Sequence, residues 1–534
     1  MWPQNYTPIA DSLWASALVA ALPIFVLLVL LGVLRKPAWL AGLAGLVVTF
    51  AVATLGYGMP SLTAVSAALN GAAFGLLPIG WIVFSAIVLY RITVETGKFE
   101  IIKNSLGQLT SDARLQALLI AFAFGAFIEG AAGFGSPVAI AAAMLTGLGF
   151  SPFYAAGICL LANTAPVAFG SIGIPVVTLA GVTGLPKLEL SAAVGRICAP
   201  ISMFIPAYLI AVMGGWKGLR GVLPAAAACG VAFASAQVLV SNFVGPELTD
   251  ILSSLSALGV LVLLLWWWKP RDQAPEAAKV KTLPHTRSEI ALAWLPYGLL
   301  VVFVLLWGSE PVRALLNRVT ITVAWPGLHN AVVRMPPVVP EPAPYAATYA
   351  FSWLSAAGTA TLLAAIASAL VLRMPARQLA SVFVKTAQQL KLPILTIVSV
   401  LALAFLMNYC GATATLGLAF AATGALFPFF SAMLGWLGVF LTGSDTSANA
   451  LFGNLQVVTA NHLGVSPVLM SAANSSGGVM GKMISLQSIA VAAAATGMAR
   501  ADEAKLFRFT LRHSIFLACM IGLITVLYSW LGVA

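Results

Sequence analysis

Long apolar runs separated by short polar loops cover almost the entire chain. About twelve of these runs are long enough for a helix to cross the roughly 30 Å hydrocarbon layer of a bilayer. They lie at about residues 13–34, 38–57, 72–94, 152–180, 193–213, 219–241, 250–268, 290–307, 350–372, 391–409, 467–499 and 511–533. The pattern predicts an all-α polytopic membrane protein with about 12 transmembrane helices.

Composition agrees with this class and removes several others. Of the 534 residues, 60% are hydrophobic and only 8% are charged, which excludes a soluble globular core. The net charge of +11 comes from bases in short loops that flank helices, so it reflects membrane orientation and no nucleic-acid partner is predicted. The five cysteines have no paired spacing, so neither a disulfide framework, a metal site nor a cofactor is predicted.

The two halves of the chain repeat the same residues at a spacing of 315 positions. Because prolines fall in register three times, chance is a poor explanation. The matches are Met59-Pro60 with Met374-Pro375, Pro78 with Pro393, Leu148-Gly149 with Leu463-Gly464, and Ser151-Pro152 with Ser466-Pro467.

Basic residues in the loops indicate that the two copies cross the membrane in opposite directions. Loop 58–71 has no lysine or arginine, whereas its counterpart 373–391 has four; loop 91–114 has four, whereas 409–429 has none. Lysine and arginine concentrate in cytoplasmic loops, so the repeats are predicted to be inverted. The same rule places loop 269–289 inside and both chain ends outside.

Two further apolar runs, at 115–146 and 430–461, must then enter and leave the membrane on one side. We expect them to be re-entrant hairpins, because each carries an acidic residue in a helix-breaking segment. The predicted inverted-repeat transporter has five parts. They are an N-terminal transmembrane helix (1–37), repeat 1 (38–213) with hairpin 115–146 and broken helix 152–180, connecting helices and loops (214–349), repeat 2 (350–510) with hairpin 430–461 and broken helix 467–499, and a C-terminal transmembrane helix (511–534).

Glu129 and Asp445, one in each hairpin, are the predicted proton-coupling residues. No other charged residue lies between Arg114 and Lys187. A charge at that depth costs about 2.5 to 3.5 kcal/mol, so Glu129 is expected to be a functional group, a protonated group or both. A structural clamp on the hairpin is the alternative. The hydroxyls around Asp445 could instead coordinate Na⁺, bind a small polar solute or cap the following helix.

Lys482, deep in the apolar run 467–499, is the predicted substrate-binding cation. It could pair with a substrate carboxylate or form an internal ion pair with one of the two acids. Pro166 is expected to break the equivalent span of the first copy. Arg334, in a proline-rich outer loop, is a candidate for gathering anions. Neutral candidates for reading the carboxylate and a hydroxyl beside it are Asn163, Thr164, Ser171, Ser444, Asn474, Ser475, Ser485 and Gln487.

At these segments the chain resembles the bacterial L-lactate permease family, part of a larger ion-transporter superfamily. The resemblance covers nearly the whole chain and implies proton-coupled uptake of lactate and glycolate across the inner membrane. It assigns no residue roles, so the candidate site rests on the residues themselves. The segments that carry it are Gly125–Gly135, Asn163–Gly170, Arg334–Val339, Phe440–Ser447 and Gly481–Ser485.

The predicted function is therefore secondary active transport and not enzyme catalysis. We expect L-lactate, glycolate and D-lactate to enter by proton symport across the inner membrane of a bacterium, with the monocarboxylate, protons and the lipid bilayer as partners. Whether the chain works as a monomer or a homodimer stays open. The alternatives are a sodium-coupled carrier of another organic anion and an anion channel. An intramembrane hydrolase is disfavoured because no metalloprotease or serine-hydrolase motif occurs.

Overall fold

A computed structural model describes residues 1–133, 136–270 and 285–533. Phe134 and Gly135 of the first hairpin segment lie outside the described residues. So does most of loop 269–289, including Arg271, Lys279 and Lys281, whose predicted cytoplasmic position is therefore without structural description.

Helices dominate the described chain, because a backbone in lipid must satisfy its own hydrogen bonds. Those of the first half are α1 (Leu13–Leu28), α2 (Ala38–Ala51), α3 (Ser61–Phe74), α4 (Trp81–Glu95), α5 (Lys98–Gly107), α6 (Ala113–Gln116), α7 (Gly125–Ala131), α8 (Ser136–Gly147), α9 (Pro152–Ala162), α10 (Gly170–Thr183) and α11 (Lys187–Phe243). Wider π-helical turns continue several of them, at Val29–Val33, Val52–Gly56, Gly75–Gly80 and Ala117–Phe124.

The second half continues the same architecture. Its helices are α12 (Pro246–Trp267), α13 (Arg287–Gly308), α14 (Glu310–Asn317), α15 (Ala357–Val371), α16 (Ala376–Cys410), α17 (Ala412–Phe420), α18 (Phe427–Thr442), α19 (Asp445–Leu463), α20 (Pro467–Lys482), α21 (Leu486–Thr496) and α22 (Arg500–Leu531). Short 3₁₀ segments lie at Val167–Phe169 and Ala421–Leu426.

Eleven helical segments of the described chain are long and apolar enough to cross a membrane, or twelve when α9 and α10 are joined as one span bent by 63°. This confirms the all-α polytopic prediction, and the bend between α9 and α10 lies within the segment predicted as a broken helix at 152–180. The segment Ala113–Ala131 is central, since 94% of its apolar window is buried, whereas only 28% is buried in Arg287–Gly308 at the periphery. The re-entrant course of the two hairpins stays a prediction.

Four segments predicted to be loops are largely helical. Residues 58–71 and 91–114 contribute to α3, α4 and α5, and residues 373–391 and 409–429 contribute to α16 and α17. Tertiary packing supports the first of them: a Cβ atom at Gly71 of α3 would lie 2.9 Å from Ala402 Cα of α16, so the two helices pack backbone to backbone. The apolar run at 350–372 becomes helical only at Ala357, because its first residues form a strand.

A small β-structure caps one end of the helical bundle and was not predicted. Strand β1 (Trp2–Pro3) pairs in parallel with β3 (Val332–Arg334), which pairs antiparallel with β4 (Ala343–Pro344). Strands β2 (Ile321–Ala324) and β5 (Thr348–Phe351) form a second, antiparallel pair. The chain start and the proline-rich loop therefore lie on the same face, as the charge rule predicted for both.

Matched residues of the two copies begin matched helices. Ser151 and Ser466 are the N-caps of α9 and α20, and each accepts a hydrogen bond from the backbone N–H three residues later. Pro60 and Pro375 likewise precede α3 and α16. The repeat thus reappears in the helix starts, while its inversion stays a prediction.

The predicted helices at 193–213 and 219–241 are two parts of α11. Its backbone leaves the helical region at Gly215 and again at Val222. Three of the predicted boundaries between parts fall inside elements, 213/214 within α11, 349/350 within β5 and 510/511 within α22.

Candidate functional site

Lys482 lies where two helix interruptions of the second half meet. Helix α18 is followed by Gly443, whose left-handed φ of 71° favours glycine, and Ser444 then caps α19. Helix α20 ends at Lys482, whose ammonium donates a 2.6 Å hydrogen bond to the Gly443 carbonyl. The predicted substrate cation therefore bonds one helix break to the other.

Asp445, the first residue of α19, is 3% exposed, and its two carboxylate oxygens have different surroundings. Oδ2 accepts hydrogen bonds from Ser475 Oγ (2.6 Å) and Asn449 Nδ2 (3.3 Å). Oδ1 has no hydrogen-bond partner among the described residues. A Cβ atom at Gly478 would overlap Oδ1, so α20 approaches this oxygen with bare backbone. The carboxylate is held at one oxygen and left to bind a proton or cation at the other.

Glu129 has a similar setting in the first half, near the end of α7. It is 5% exposed, and its Oε2 has no hydrogen-bond partner in the described part of the chain. The start of α10 passes beside it: a Cβ atom at Gly170 would lie 2.6 Å from Glu129 Oε1. Ser171 donates a 3.2 Å hydrogen bond to the Ala132 carbonyl just after α7. The acid-bearing helix end again contacts the break of a neighbouring span.

The first turn of α10 has a strained backbone. Ser171, Ile172 and Gly173 have φ values of 49°, 60° and 72°. That left-handed region costs a non-glycine residue roughly 1–3 kcal/mol, and such strain concentrates at functional sites. Packing enforces it here, since Pro246 at the start of α12 lies against Gly173. The backbone of this first turn, which lies beside Glu129, is therefore held in place by α12.

Asn163 is the neutral candidate that faces the first acid. Asn163 is the first residue after α9. The helix ends there because Pro166 cannot supply the N–H that would continue it. Its side chain is 5% exposed and lies beside the Glu129 carboxyl group. Its Oδ1 has no hydrogen-bond partner in the described chain. Asn163 therefore has an amide oxygen available for a ligand.

Thr164 and Asn474 have side chains that the protein itself satisfies. Thr164 donates a 2.7 Å hydrogen bond to the Leu161 carbonyl of its own helix. Asn474 lies inside α20, two turns before the break, and its amide bonds to Asn449 and Gln456. No proline follows it, so the helix continues to Lys482. The match of Asn163 with Asn474 in sequence does not give them equal surroundings.

Gln487 and Ser485 lie beside the second break. A Cβ atom at Gly443 would lie 2.8 Å from Gln487 Oε1 and 3.6 Å from Ser485 Oγ. Ser485 bonds to Ser488, and Ser444 accepts from the backbone of α19, so both hydroxyls act as helix caps. Gln487 is exposed and makes no hydrogen bond among the described residues, which leaves its amide available.

Lys482 lies within electrostatic range of both Glu129 and Asp445. No ammonium–carboxylate distance from Lys482 is within 4 Å in the described structure, so neither acid forms a contact ion pair with it. The ammonium is bonded to a neutral carbonyl instead. This arrangement leaves the cation able to accept a carboxylate from outside the protein.

Asp250 is a residue of this site that sequence reasoning missed. Asp250 lies in α12, is 1% exposed and is within electrostatic range of Glu129. Neither carboxyl oxygen has a hydrogen-bond partner among the described residues. A Cβ atom at Gly130 would lie 2.7 Å from Asp250 Cβ, which places α12 directly against α7. The helical spacing of Asp250 with the buried Ser253, Ser254 and Ala257 was the available signal.

The described chain thus places two buried acids, one amine and two amide side chains with available polar atoms at interrupted helices inside a membrane bundle, with a third buried acid, Asp250, in the adjacent α12. Interrupted helices with ionisable groups at mid-membrane depth are the binding sites of secondary transporters. The fold and the site define the class as a transport protein.

Comparison with known proteins identifies the particular family. The pattern of the family described as L-lactate permease matches residues 16–532, and the chain belongs to this family. It is 47% identical over 565 residues to L-lactate permease of Bacillus subtilis (strain 168), with 99% of both chains covered. It is 46% identical over 551 residues to Glycolate permease GlcA of Escherichia coli (strain K12), covering 99% of this chain and 98% of that one.

A solved structure, the Alcanivorax borkumensis YdaH transporter of unusual topology, aligns over 88% of both chains with a TM-score of 0.46 and 16% identity. The family assignment confirms the resemblance stated from the sequence. The protein is a multi-pass membrane permease and not an enzyme.

Proposed function

We propose that this permease takes up L-lactate, glycolate and D-lactate by proton symport across the bacterial inner membrane. The names of its relatives, which include L-lactate permeases and a glycolate permease, support this substrate class. The buried acids Glu129, Asp250 and Asp445 form an acid cluster, and Lys482 is the one amine within electrostatic range of it in the described chain. A single cation favours a substrate with a single carboxylate, since a dicarboxylate would need a second cation.

The charge balance of the site is the observation that carries proton coupling. Glu129 and Asp445 are buried within electrostatic range of a single amine, Lys482, in the described chain. Two ionised carboxylates and one ammonium would leave one uncompensated negative charge in a medium where it is costly. A lactate anion would add a second. Protons that neutralise carboxyl groups therefore have to accompany the anion into the site.

Lys482 links binding to movement in this proposal. Its ammonium holds the Gly443 carbonyl at the break between α18 and α19. A substrate carboxylate is a stronger partner for an ammonium than a neutral carbonyl is, because charge-assisted hydrogen bonds are about twice as strong. Substrate binding would thus release the α18–α19 break from α20, while Asn163 and Gln487 bind the 2-hydroxyl group.

Glu129 is the proposed carrier of the coupling proton. Its Oε2 lacks a protein partner, and it lies within range of Lys482, so the charge on the amine and the proton on the acid depend on each other. Asp445 has two hydrogen-bond donors on Oδ2, Ser475 and Asn449, which hold this oxygen in place within electrostatic range of Lys482.

Uptake of labelled lactate into proteoliposomes tests this proposal. We expect an outside-acid pH gradient to drive accumulation and a sodium gradient to have no effect. Glu129→Gln should abolish proton-driven accumulation while keeping lactate–lactate exchange, because the amide has the shape of the protonated acid but cannot release a proton. Glu100→Gln, an exposed glutamate paired with Lys103, is the matched control and should transport normally.

Full accumulation by Glu129→Gln would remove Glu129 from the coupling step. Dependence on sodium with indifference to pH would replace the proposal by a cation site at Asp445, the rival that its unpartnered Oδ1 favours. Saturable uphill uptake separates a carrier from an anion channel, which can only let lactate run down its gradient.

A further inference from the structure

A polar cavity lies beneath the β-structure, away from Glu129, Asp445 and Lys482. Its volume is about 430 Å³, which is within the range of small-molecule sites. Both halves of the chain line it, with Asn70 from α3, Val182 at the end of α10, and Asn408 and Asn454 from α16 and α19. The proline-rich loop supplies Arg334, which the transport proposal above does not use.

Arg334 brings an uncompensated positive charge to this cavity. Its guanidinium lies 4.8 Å from the centre of the Tyr345 ring and forms no hydrogen bond or ion pair within the described chain. Its Nε atom is fully buried and without a partner there. No aspartate or glutamate is among the residues that line the cavity. A guanidinium in such a place attracts an anion that can bind it with two oxygens.

Asn70 is a second, independent unpartnered group in the same cavity. It is 4% exposed, and its Nδ2 has no hydrogen-bond partner among the described residues. A buried amide donor is stabilised by a hydrogen-bond acceptor, so a ligand that accepts a hydrogen bond from Asn70 would bind favourably here. The cavity therefore presents a cation and an amide donor to the same occupant.

Two helices connect this cavity to the acid cluster. Helix α19 carries Asp445 at its start and Asn454 at the cavity, nine residues or about 14 Å further along. Helix α10 starts beside Glu129 and reaches the cavity at Val182. Between the two sites the helices touch: a Cβ atom at Gly453 would lie 2.7 Å from Leu179 of α10. This contact separates the cavity from the site around Lys482.

We infer that the Arg334 cavity is a second binding site for a small carboxylate, occupied before the anion passes between α10 and α19 to Lys482. Arg334 binds the carboxylate, and Asn70 donates to one of its oxygens or to the hydroxyl beside it. The inference rests on the proposed function, since it takes the same monocarboxylate as ligand. The cavity lies on the face of the chain start, which the charge rule predicts to be external.

Equilibrium binding of labelled lactate to the purified permease tests the inference. We expect two lactate molecules per chain, with one remaining in Lys482→Gln and the other in Arg334→Gln. In proteoliposomes, Arg334→Gln should raise the KM of uptake roughly tenfold, the effect of one charge-assisted hydrogen bond, and leave the maximal rate unchanged. Arg318→Gln, which changes an exposed arginine in the same outer region, is the matched control and should keep both sites and the normal KM.

A single lactate per chain that Lys482→Gln abolishes would overturn the inference, as would an unchanged KM in Arg334→Gln. Binding of inorganic phosphate to Lys482→Gln as tightly as lactate would overturn the assignment to carboxylates. Binding of lactate to Arg334→Gln at the Lys482 site reports that this variant is folded. Asn70→Ala provides a second variant that should also raise the KM of uptake. If the unmodified protein fails to transport lactate, the proposed function fails, whereas binding of acetate or glycolate that depends on Arg334 would still support the cavity site.

Discussion

Asp250 and Glu129 are neighbouring acids with different surroundings, and this difference assigns them different tasks. Glu129 lies within electrostatic range of Lys482 and beside the side-chain amide of Asn163. Asp250 is 1% exposed, and the charged group within electrostatic range of it in the described chain is Glu129. Cys198 of α11 also lies within electrostatic range of Asp250. The nearby Glu247 is already paired with Lys187 at the surface. Asp250 is thus isolated from the substrate cation.

Asp250→Asn should therefore keep proton-driven accumulation of lactate close to that of the unmodified protein. A carboxyl group with no hydrogen-bond donor around either oxygen is expected to stay neutral, and asparagine has nearly the same shape without a charge. The measurement is lactate accumulation under a fixed pH gradient, compared with Glu129→Gln. Loss of coupling in Asp250→Asn together with its survival in Glu129→Gln would move the proton from Glu129 to Asp250.

Sequence alone located the charged residues of this site better than the neutral ones. Glu129, Asp445 and Lys482 stand out because charge is rare in apolar sequence, and the structure brings all three within electrostatic range. Hydroxyl and amide side chains are common in such sequence, and their use depends on local backbone. Thr164 bonds its own helix, and Asn474 is satisfied by Asn449 and Gln456. Only tertiary contacts distinguish these residues from Asn163 and Gln487.

At the scale of elements, hydrophobic length predicted the spans because the bilayer sets that length. It could not predict where helices continue into polar sequence, as α16 does from Ala376 through the basic stretch to Cys410. Nor could it predict the β-structure, whose strands are two to four residues long and exist through pairing with distant segments. Short strands carry too few residues for an alternating pattern to be visible.

Contacts between loops agree with the predicted orientation of both copies. Lys385 forms a 2.8 Å ion pair with Glu95, and Arg91 donates to Gln389, so two regions predicted to be cytoplasmic lie together. On the opposite face, Gln4 donates to the carbonyls of Asn408 and Tyr409. That contact joins the chain start to a segment predicted to be external.

Labelling of single cysteines should reveal opposite accessibility for these two faces. In right-side-out membrane vesicles we expect a membrane-impermeant maleimide to modify Glu341→Cys and Asp11→Cys but not Arg377→Cys, and the reverse in inside-out vesicles. All three positions are exposed. The unmodified protein is the control, because four of its five cysteines are buried and the fifth is half-buried. Labelling of Arg377→Cys and Asp11→Cys from the same side would contradict the inverted repeat, because the chain start and loop 58–71 are predicted to be external and loop 373–391 cytoplasmic.

At the scale of the whole molecule, the proposal fixes how much charge crosses the membrane in each cycle. One monocarboxylate anion and one proton carry no net charge together. A potential of about 100 mV acts on each net charge with about 2.3 kcal/mol, equivalent to a roughly 40- to 50-fold change in accumulation ratio. The ratio reached by an electroneutral carrier depends only on the pH and lactate gradients.

We therefore expect lactate accumulation at a fixed pH gradient to be unchanged by a potassium diffusion potential of about 100 mV of either sign. The measurement is the steady-state ratio of labelled lactate in proteoliposomes with valinomycin, and protein-free liposomes correct for passive entry of lactic acid. A rise towards 40-fold with the inside negative would mean that an additional cation travels with each anion. Since Asp445 has an unpartnered oxygen, it would then be the residue to test for a second proton or a sodium ion, by repeating the measurement on Asp445→Asn.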